Sequence, residues 1–491
     1  MLFRSLTDRI LDRIDHDDIE CETRGGFHVF HVPSAGVTPA PDGMKTLHLP
    51  YSFYPDPVGG TEIYVESLAI GLRRLGVEAE IAAPAADQRS YRYNQLTVHR
   101  FAVGNPDLAD QYGLGDPIAA QSFATILESC APDLVHMHSF TAGVSLRLLR
   151  TIKAAGIPVV FTYHTPTVSC VRGTLMRWGH EQCDGDLESA PCTACMLHGK
   201  GLSRALSIAL AGLPVGFGES VGKLGLKNSL MTAVRASELM QLRKDAINGL
   251  FEEADAIVAV CCWLYDLLVR NGVDKSKLTV SRHALRNSAE LNHPIKPRSD
   301  GDDIRVAFVG RLAREKGIDI LLKAMGRISS RRLKLDIFGI ASDIEAESLK
   351  RAVADAGDQR IRLLAPFPNA NAIAELRAYD CLAVPSQWME TGPLVVLEAF
   401  AAGVPVIGSN LGGIAELVDN EKNGLLIEPA SIEAWVAAFN RLLAEPELLP
   451  RLRLGIPNGR TMEQAANEML TVYGKLVRSD IPFIAVQERA Q

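Results

Sequence analysis

The chain has 491 residues, of which 47% are hydrophobic, and a formal net charge of −7 with both signs mixed along it. This length is too great for one ordinary hydrophobic core and predicts two or three domains, while the lack of a basic stripe excludes nucleic acid as an expected partner. Because no run reaches the roughly 18 apolar residues of a membrane span, a transmembrane protein is excluded as well, although contact with a membrane surface is not.

The N-terminal residues 1–43 are predicted to form an appendage. Leu6, Ile10 and Ile14 recur at helical spacing, which indicates a docking or interfacial helix. The first residues lack an uninterrupted apolar core and a small-residue cleavage site, so we expect no signal peptide. A cytoplasmic protein is therefore expected, with peripheral contact at the inner face of the membrane left open. Its nine cysteines are accordingly expected to be reduced thiols.

Short apolar strands alternate with amphipathic helices along residues 44–285, which predicts a Rossmann-like domain with a doubly wound parallel sheet. The binding loops of such a sheet lie at the carboxyl ends of its strands. The predicted strands are 46–49, 79–83, 134–138, 159–163 and 256–260, and the predicted helices are 62–75, 117–129, 142–154 and 242–252.

Gly59 and Gly60 lie between the first predicted strand and the first predicted helix of this domain. Backbone without side chains can approach a phosphate or an acceptor closely at such a place. Neither this pair nor Gly412-Gly413 continues as the Gly-x-Gly-x-x-Gly fingerprint of dinucleotide-binding proteins. A nicotinamide-dependent enzyme is therefore disfavoured.

Three histidines lie at or near the ends of predicted strands. Alternation puts His136 and His138 on one face of their strand, so only His138 clearly emerges at the carboxyl edge. A histidine at a strand end is more often a hydrogen-bonded structural group than a ligand-binding one, so these positions alone leave the role of His138 open. His164, at the end of the next strand, is a candidate for acceptor binding or for supporting the segment that follows it.

The alternation lapses between about residues 165 and 241, which we predict to be an insertion in the first domain and a lid over the acceptor half of the site. Four thiolates would satisfy a closed tetrahedral zinc site, and the last two cysteines are predicted to form a zinc-knuckle turn. The spacings are not those of a standard zinc ribbon, so structural zinc, reduced free thiols and, last, disulfides all stay open. His180 or His198 could replace one ligand. The four cysteines are spaced Cys-x12-Cys-x8-Cys-x2-Cys and are Cys170, Cys183, Cys192 and Cys195.

Asp184-Gly185-Asp186 lies inside the same segment and looks like a metal-binding Asp-x-Asp motif. Because it stands in a polar loop, we predict an ordinary turn here.

A linker is predicted at residues 286–303, which contain prolines and several polar residues. Residues 304–460 repeat the strand and helix alternation and predict a second Rossmann-like domain. Residues 461–491 hold a last helix near 463–477 and a tail. The predicted strands of the second domain are 305–309, 334–338, 360–363, 381–384, 406–407 and 425–427, and its predicted helices include 318–328, 394–402 and 432–443.

Glu390 and Glu398 stand eight positions apart, and Glu398 lies in an otherwise apolar helix. Pro393 suits the first position of that helix, and Thr391 or Gly392 can cap it. A buried helix tolerates a carboxylate only with a partner, and no Lys or Arg lies within a turn of Glu398. The hydroxyl groups of a ligand would supply the missing donors.

Arg311 and Lys316 lie in a strand-to-helix loop about seventy residues upstream, where a diphosphate could bind. The structural alternative is a plain ion pair between Arg311 and Glu390. Carboxylates that bind hydroxyl groups and cations that bind phosphates together indicate a sugar nucleotide.

This combination of motifs resembles the family 4 retaining glycosyltransferases of the GT-B fold, over about residues 44–478. The resemblance implies two Rossmann-like domains that face a cleft, with the acceptor bound mainly to the first domain and the donor to the second. It also implies that the last helix returns to the first domain. The residues that carry it are Gly59-Gly60-Thr61-Glu62, His138, Gly310-Arg311 with Lys316-Gly317, the run from Glu390 to Glu398, and Leu411 to Glu416.

The resemblance also implies a role for each matching residue. Arg311 and Lys316 would hold the donor diphosphate, and Glu398 would bind the ribose hydroxyls. Glu390 would face the transferred sugar, which His138 would contact. The expected donor-binding residues are Gly59, Gly60, Arg311, Lys316, Glu390, Thr391, Gly392, Pro393, Leu394 and Glu398.

The predicted function is transfer of a sugar from a nucleoside diphosphate sugar to a hydroxyl group of a glycan, a lipid-linked molecule or a small molecule, with retention of the anomeric configuration. No catalytic metal is expected, because protein cations and a helix N-terminus neutralise the leaving diphosphate. The alternatives are a sugar-nucleotide epimerase, a glycan phosphorylase, or a non-catalytic sugar-nucleotide-binding subunit. Release of nucleoside diphosphate only when an acceptor is present would separate a transferase from an epimerase.

Overall fold

The computed structural model describes residues 21–24, 27–30, 43–223, 228–286, 303–340, 343–367 and 371–477. The chain divides into two units, Met1–Thr38 and Pro39–Gln491. The described part of the first unit is an antiparallel pair of strands, Cys21–Arg24 and Phe27–Phe30. The helix predicted around Leu6, Ile10 and Ile14 and all but the two end residues of the predicted linker lie outside the described residues.

An eight-stranded sheet organises the N-terminal domain of the second unit. All neighbouring strands are parallel except the last pair. In spatial order the strands are Leu278–Val280, Ala256–Ala259, Val159–Tyr163, Leu134–Met137, Lys45–Leu49, Glu78–Ala85, Leu96–Ala102 and Arg89–Tyr93.

The C-terminal domain contains a six-stranded sheet that is parallel throughout. Counted in chain order, the strands run third, second, first, fourth, fifth and sixth across the sheet, which is the doubly wound order of dinucleotide-binding folds. The predicted α/β class with two Rossmann-like domains is thus confirmed. In spatial order the strands are Ile361–Leu364, Leu333–Ile340, Ile304–Arg311, Cys381–Val384, Val406–Ser409 and Gly424–Ile427.

Helices cover both faces of each sheet, and their ends follow local sequence. The Pro117–Cys130 helix has proline at its first position and the Asp116 carboxylate as its cap. The helices of the N-terminal domain are Gly60–Arg74, Leu108–Tyr112, Pro117–Cys130, Leu146–Ala154, Ala236–Glu253 and Cys262–Arg270. The helices that follow residue 303 are Ile318–Arg327, Asp343–Ala356, Ala372–Leu376, Leu394–Ala401, Gly412–Leu417, Ile432–Ala444, Leu448–Leu454 and Met462–Leu476.

Residues 165–241, which we call the cysteine segment, are mainly helical in their described part. A short antiparallel ladder pairs Met176–Arg177 with Glu181–Gln182. The zinc-knuckle turn predicted for Cys192 and Cys195 is wrong, because both residues lie in one helix. The helices that lie wholly within the described part of the segment are Ser189–Gly199, Arg204–Ala211, Val215–Lys223 and Ser229–Val234.

The Met462–Leu476 helix lies against the N-terminal domain. A Cβ atom added at Gly71 of the Gly60–Arg74 helix would be 3.1 Å from the Ala466 side chain, so the two helices are in close contact. The Tyr473 hydroxyl is 2.6 Å from Nδ1 of His136. The end of the described chain therefore completes a helical layer on the first sheet and connects the two domains.

No single helix among the described residues is long and apolar enough to cross a membrane. Two neighbouring helices are together as long and apolar as a membrane span, but they are bent by 88° relative to each other. They are Arg204–Ala211 and Val215–Gly222.

Candidate functional site

The proposed donor-binding residues converge where the strand order of the C-terminal sheet reverses. Ile304–Arg311 and Cys381–Val384 are the first and fourth strands of that sheet and are direct neighbours. Arg311 ends the first of them, and Lys316 lies in the 3-10 turn that follows. Glu390 lies in the loop after the neighbouring strand. Ligands of doubly wound sheets bind at this reversal, outside the carboxyl ends of the strands.

Lys316 and Glu390 form a short ion pair within this site. The Lys316 Nζ atom is 2.6 Å from Glu390 Oε1, which also accepts a hydrogen bond of 2.8 Å from the Ser386 hydroxyl. The same ammonium group is 4.8 Å from the centroid of the Trp388 ring. Because the buried Glu390 carboxylate holds the ammonium group in place, Lys316 would already have a fixed position when a phosphate approached it.

Arg311 is mostly exposed and is not the partner of Glu390. Its guanidinium lies 3.5 Å from Glu315, four residues further along the chain, and its side chain is 62% exposed. The structural alternative of an Arg311–Glu390 ion pair is therefore absent from this conformation. Arg311 can reach a ligand at the mouth of the site.

The backbone conformation at position 317, directly after Lys316, requires glycine. Its φ angle is +72°, in the left-handed region that favours glycine. A Cβ atom at this position would be only 2.0 Å from the carbonyl oxygen of Pro385. The two loops at the strand reversal therefore meet backbone to backbone at this glycine.

Glu398 lies in the Leu394–Ala401 helix and is half-buried. Burial raises the pKa of its carboxyl group from 4.5 to about 7. Among the described residues, no hydrogen-bond donor or cation pairs with this carboxylate. The observation matches the expectation that its partner is a ligand. Pro393 is the residue that caps this helix, rather than its first helical residue.

The glycine pair Gly412-Gly413 packs against the backbone of Glu390. The Gly413 N–H group donates a 2.6 Å hydrogen bond to the Glu390 carbonyl oxygen. Cβ atoms at either glycine would lie within 2.9 Å of that oxygen. This motif therefore positions the loop that carries Glu390.

Glu416, at the end of the same motif, bridges the two domains. Its carboxylate accepts hydrogen bonds from the N–H groups of Cys262 and Trp263, at 2.9 and 2.7 Å, where the Cys262–Arg270 helix begins. It also pairs with Arg282 at 3.1 Å. Sequence reasoning missed this contact, because Trp263 and Arg282 belong to no motif.

Gly59 and Gly60 are exposed and face the Leu394–Ala401 helix of the C-terminal domain. The Gly59 N–H group donates a 2.8 Å hydrogen bond to Glu62, which fixes the start of the Gly60–Arg74 helix. A Cβ atom at Gly60 would be 3.5 Å from the side chain of Leu394. The N-termini of two helices, one from each domain, therefore lie opposite each other.

Four buried histidines, which we call the histidine row, connect the core of the N-terminal domain with the loop before Leu394. Each ring is 3.0 to 3.1 Å from the next, and the last Nδ1 atom is 2.9 Å from the carbonyl oxygen of Gly392. Thr391 also donates its hydroxyl hydrogen to the His164 carbonyl oxygen. The members are, in order, His48, His138, His164 and His283.

The terminal carbonyl oxygen determines which nitrogen of each ring carries the proton. A carbonyl oxygen only accepts, so His283 carries its proton on Nδ1 and accepts on Nε2. The same assignment then passes to every ring of the row, as far as the Thr46 hydroxyl, which lies 3.2 Å from Nε2 of His48. Burial lowers the pKa of His48 to about 3 and of His283 to about 4, so the rings are neutral.

His138 is buried in the middle of this row, and both its ring nitrogens are bonded to other histidines. Its contact with a transferred sugar stays a prediction, because in this conformation neither nitrogen is free. His136 lies beside the row and bonds to Tyr473 and Thr162. Sequence reasoning missed His48 and His283, which stand in no motif.

The four cysteines proposed as metal ligands line one cavity of about 50 Å³. None is in a disulfide. Nearby, Asp184 pairs with Arg177 at 2.9 Å and Asp186 lies 3.5 Å from Arg270. Gly185 between them has a φ angle of +82°, and the three residues lie in a loop between the short ladder and the next helix. The ordinary turn expected here stays a prediction.

Two family models match the chain. The model described as "Glycosyl transferase 4-like domain" matches residues 59–282, and "Glycosyl transferases group 1" matches residues 290–455. A D-inositol 3-phosphate glycosyltransferase of Corynebacterium glutamicum (strain R) is 28% identical over 443 residues, which is 86% of this chain and 93% of the relative.

Solved structures with the same fold include two that align over nearly their whole length. The sucrose-phosphate synthase of Thermosynechococcus elongatus has a TM-score of 0.60 and 19% identity, over 88% of this chain and 99% of its own. Anabaena HepE in complex with UDP and glucose has a TM-score of 0.59 and 15% identity, over 88% and 100%. Both structures match this chain at the level of the GT-B fold.

Proposed function

Because the chain belongs to the glycosyltransferases, with a 4-like domain followed by a group 1 domain, we propose that it transfers a sugar from a nucleoside diphosphate donor to an acceptor hydroxyl with retention of configuration. The observation that carries this proposal is the meeting of Lys316 and Glu390 at the reversal of the C-terminal sheet. The unpartnered Glu398 supports it from the adjoining helix.

The donor diphosphate is proposed to bind between Lys316, Arg311 and the N-terminus of the Leu394–Ala401 helix. The free N–H groups and the dipole of a helix N-terminus attract phosphate oxygens. Glu398 lies four residues further along, or about 6 Å at 1.5 Å per residue. This spacing suits a phosphate at Leu394 and ribose hydroxyl groups at Glu398.

The reaction is proposed to occur on one face of the sugar. The bond between the anomeric carbon and the diphosphate oxygen breaks, while the acceptor oxygen forms its bond to that carbon on the same side. The acceptor proton passes to the leaving phosphate. Lys316 and Arg311 stabilise the growing negative charge on that phosphate, so no catalytic metal is proposed.

Glu390 and His138 are proposed to face the transferred sugar. The Glu390 carboxylate would accept from a sugar hydroxyl and stabilise the positive charge that develops at the anomeric carbon. A hydrogen bond from His138 to the sugar would require the ring to exchange one of its histidine partners. The row otherwise acts through Gly392, which it holds in place.

The test is a donor screen followed by a transfer assay. Melting temperatures with UDP, GDP, ADP and their sugars identify the base, because a ligand at 100 times its dissociation constant stabilises the fold by about 2.7 kcal/mol. Acceptors then start with inositol phosphates, given the name of the Corynebacterium relative. We expect nucleoside diphosphate to be released only with acceptor. Release without acceptor, or phosphate-dependent turnover, would contradict transfer and favour an epimerase or a phosphorylase.

The acceptor is proposed to include lipid-linked molecules, with the cysteine segment in peripheral contact with the inner face of a membrane. Large apolar side chains on its helices are at least half exposed. Sedimentation with anionic vesicles should fall when Leu206 and Phe217 are changed to serine, and Leu454→Ser in the other domain is the control. Parent protein that does not sediment would contradict this contact. The exposed side chains are Leu206, Ile208, Phe217 and Leu230.

A further inference from the structure

The four cysteines of the cysteine segment come from three places in the chain and meet at one cavity. Cys170 follows the turn after the Val159–Tyr163 strand, and Cys183 follows the short ladder. Cys192 and Cys195 lie three positions apart on the Ser189–Gly199 helix, so they share a face of it. All four are partly buried, and the cavity that they line measures about 50 Å³.

Two backbone N–H groups at this cavity are directed at cysteine sulfur atoms. The N–H groups of Trp178 and Gly185 each point at a cysteine sulfur at 3.4 Å, those of Cys195 and Cys183. Both donors have left-handed backbone angles, with φ of +57° and +82°. The Arg172 side chain adds a cation to the cavity wall. Such outer contacts orient the ligands of metal sites.

The cysteine segment has only a small hydrophobic core of its own. Its separate buried cluster consists of four residues, two of which come from the Ala236–Glu253 helix. The buried members of this cluster are Met196, Leu197, Ala236 and Met240. Val168, Leu175 and Met176 pack instead into the core of the N-terminal domain. A metal ion would therefore hold the part of the segment that the main core does not hold.

We propose that Cys170, Cys183, Cys192 and Cys195 bind one structural zinc ion. Four thiolates fill the tetrahedral coordination of zinc, so the ion has no open position and is not catalytic. Each thiol loses its proton on binding. In the described conformation no three of these sulfur atoms lie within 4.8 Å of one another. Binding therefore requires them to move closer, because zinc–sulfur bonds are about 2.3 Å long.

Two other groups of side chains that are able to bind a metal ion lie elsewhere in the described chain. The ligand atoms of each group lie within 4.8 Å of one another. Internal hydrogen bonds account for both. His48 and His138 bond to each other, and His99 bonds to Glu80 and Cys130 at 3.1 and 3.3 Å. Their close approach therefore does not require a metal ion.

The metal would also hold the loop that carries Glu390. Thr174 lies between the first two cysteines, and its carbonyl oxygen accepts a 3.1 Å hydrogen bond from the Met389 N–H group. The Gln182 amide is 3.7 Å from the Met389 sulfur. The segment pinned by zinc therefore contacts the residue directly before Glu390. This consequence rests on the proposed function, but the metal site does not.

The experiment measures metal in the full chain, purified without added zinc or chelator. Elemental analysis should find about one zinc ion per chain. Replacement of zinc by cobalt(II) should give the intense visible absorption of a tetrahedral cobalt–thiolate site. The double change Cys192→Ser and Cys195→Ser should abolish both signals, while Cys130→Ser, which removes a thiol elsewhere in the same domain, should keep them.

Three results would overturn the proposal, and none requires donor or acceptor. The first is a parent protein without metal whose four thiols are alkylated at once. The second is a disulfide among the four cysteines in protein kept under reducing conditions. The third is full metal content in the double variant. If the double variant fails to fold, the cobalt spectrum of the parent still decides. On removal of the metal, amide hydrogen exchange of the Met389 peptide should accelerate. Because metal is measured without turnover, this proposal can fail while glycosyl transfer stands, and the reverse.

Discussion

The two glutamates of the candidate site have different surroundings, although they stand eight positions apart. Glu390 is neutralised by Lys316, whereas Glu398 has no partner among the described residues and its pKa is raised to about 7 by burial. One carboxylate is thus part of a charged pair that we propose faces the transferred sugar, and the other is available to accept hydrogen bonds from hydroxyl groups of a ligand.

Replacing each glutamate by glutamine should separate binding from turnover. Glu398→Gln should weaken nucleoside diphosphate binding, because the carboxylate accepts from the ribose, while Glu390→Gln should chiefly lower kcat. A carboxyl group with a pKa of about 7 is anionic above that pH, so parent affinity should rise from pH 6 to pH 8. Calorimetric titration should show this rise in the parent and not in Glu398→Gln. Equal affinities and rates in both variants would remove the assignment.

Removing a cation from the phosphate site should cost turnover. Lys316→Ala and Arg311→Ala should each lower kcat on the order of 10²-fold, the range for one preorganised group that stabilises a developing anion. Lys323→Ala is the matched control, since Lys323 is an exposed lysine paired with Asp319 on the next helix. Steady-state kinetics with the identified donor measures all three. Similar losses in the control would show a general charge effect.

At the scale of elements, loop geometry fixes the position of the charged groups. Gly317→Ala should lower both stability and turnover, because its Cβ atom would be 2.0 Å from the Pro385 carbonyl oxygen at a left-handed backbone angle. Gly326→Ala, in the following helix, meets nothing within 4 Å and should be neutral or stabilising by up to about 1 kcal/mol. Thermal unfolding of both variants tests the contrast. Equal melting temperatures would mean that the loop has another conformation.

The histidine row should make the fold sensitive to acid. Its buried rings have lowered pKa values, so below pH 6.5 the unfolded chain takes up protons that the folded chain does not. Stability is therefore complete above pH 6.5 and lost below it, by up to about 1.4 kcal/mol per pH unit for each ring.

The pH dependence of chemical unfolding between pH 5 and 7 measures this loss. His48→Gln should reduce the slope by the contribution of one ring. An identical slope in His48→Gln would mean that the row is charged or open.

Sequence predicted those elements whose pattern is local. The strand Cys381–Val384 is uniformly apolar and was placed to the residue, and Glu398 stood out because its neighbours carry no cation. Arg89–Tyr93 was missed because its charged residues resemble a loop. The histidine row could not be predicted, since His48 and His283 are brought together only by the order of strands in the sheet.

At the scale of the whole molecule, the proposed mechanism takes the charge that a metal ion would otherwise supply from Lys316, Arg311 and a helix N-terminus. Transfer should therefore survive brief treatment with a chelator, and the anomeric configuration of the donor should be kept in the product. Assays with and without chelator, and NMR of the new glycosidic bond, test both points. Strict dependence on magnesium or manganese, or an inverted product, would contradict the mechanism.

The histidine row has a consequence for how the two domains move. Its protons all point from Thr46 towards Gly392, and only the Gly392 carbonyl oxygen in the second domain selects that direction. If the domains hinge apart, the last imidazole loses its acceptor and the whole row becomes free to reverse its polarity. Closure then has to wait for the forward arrangement. Domain closing would thus be gated by tautomer exchange, a step that should slow in heavy water.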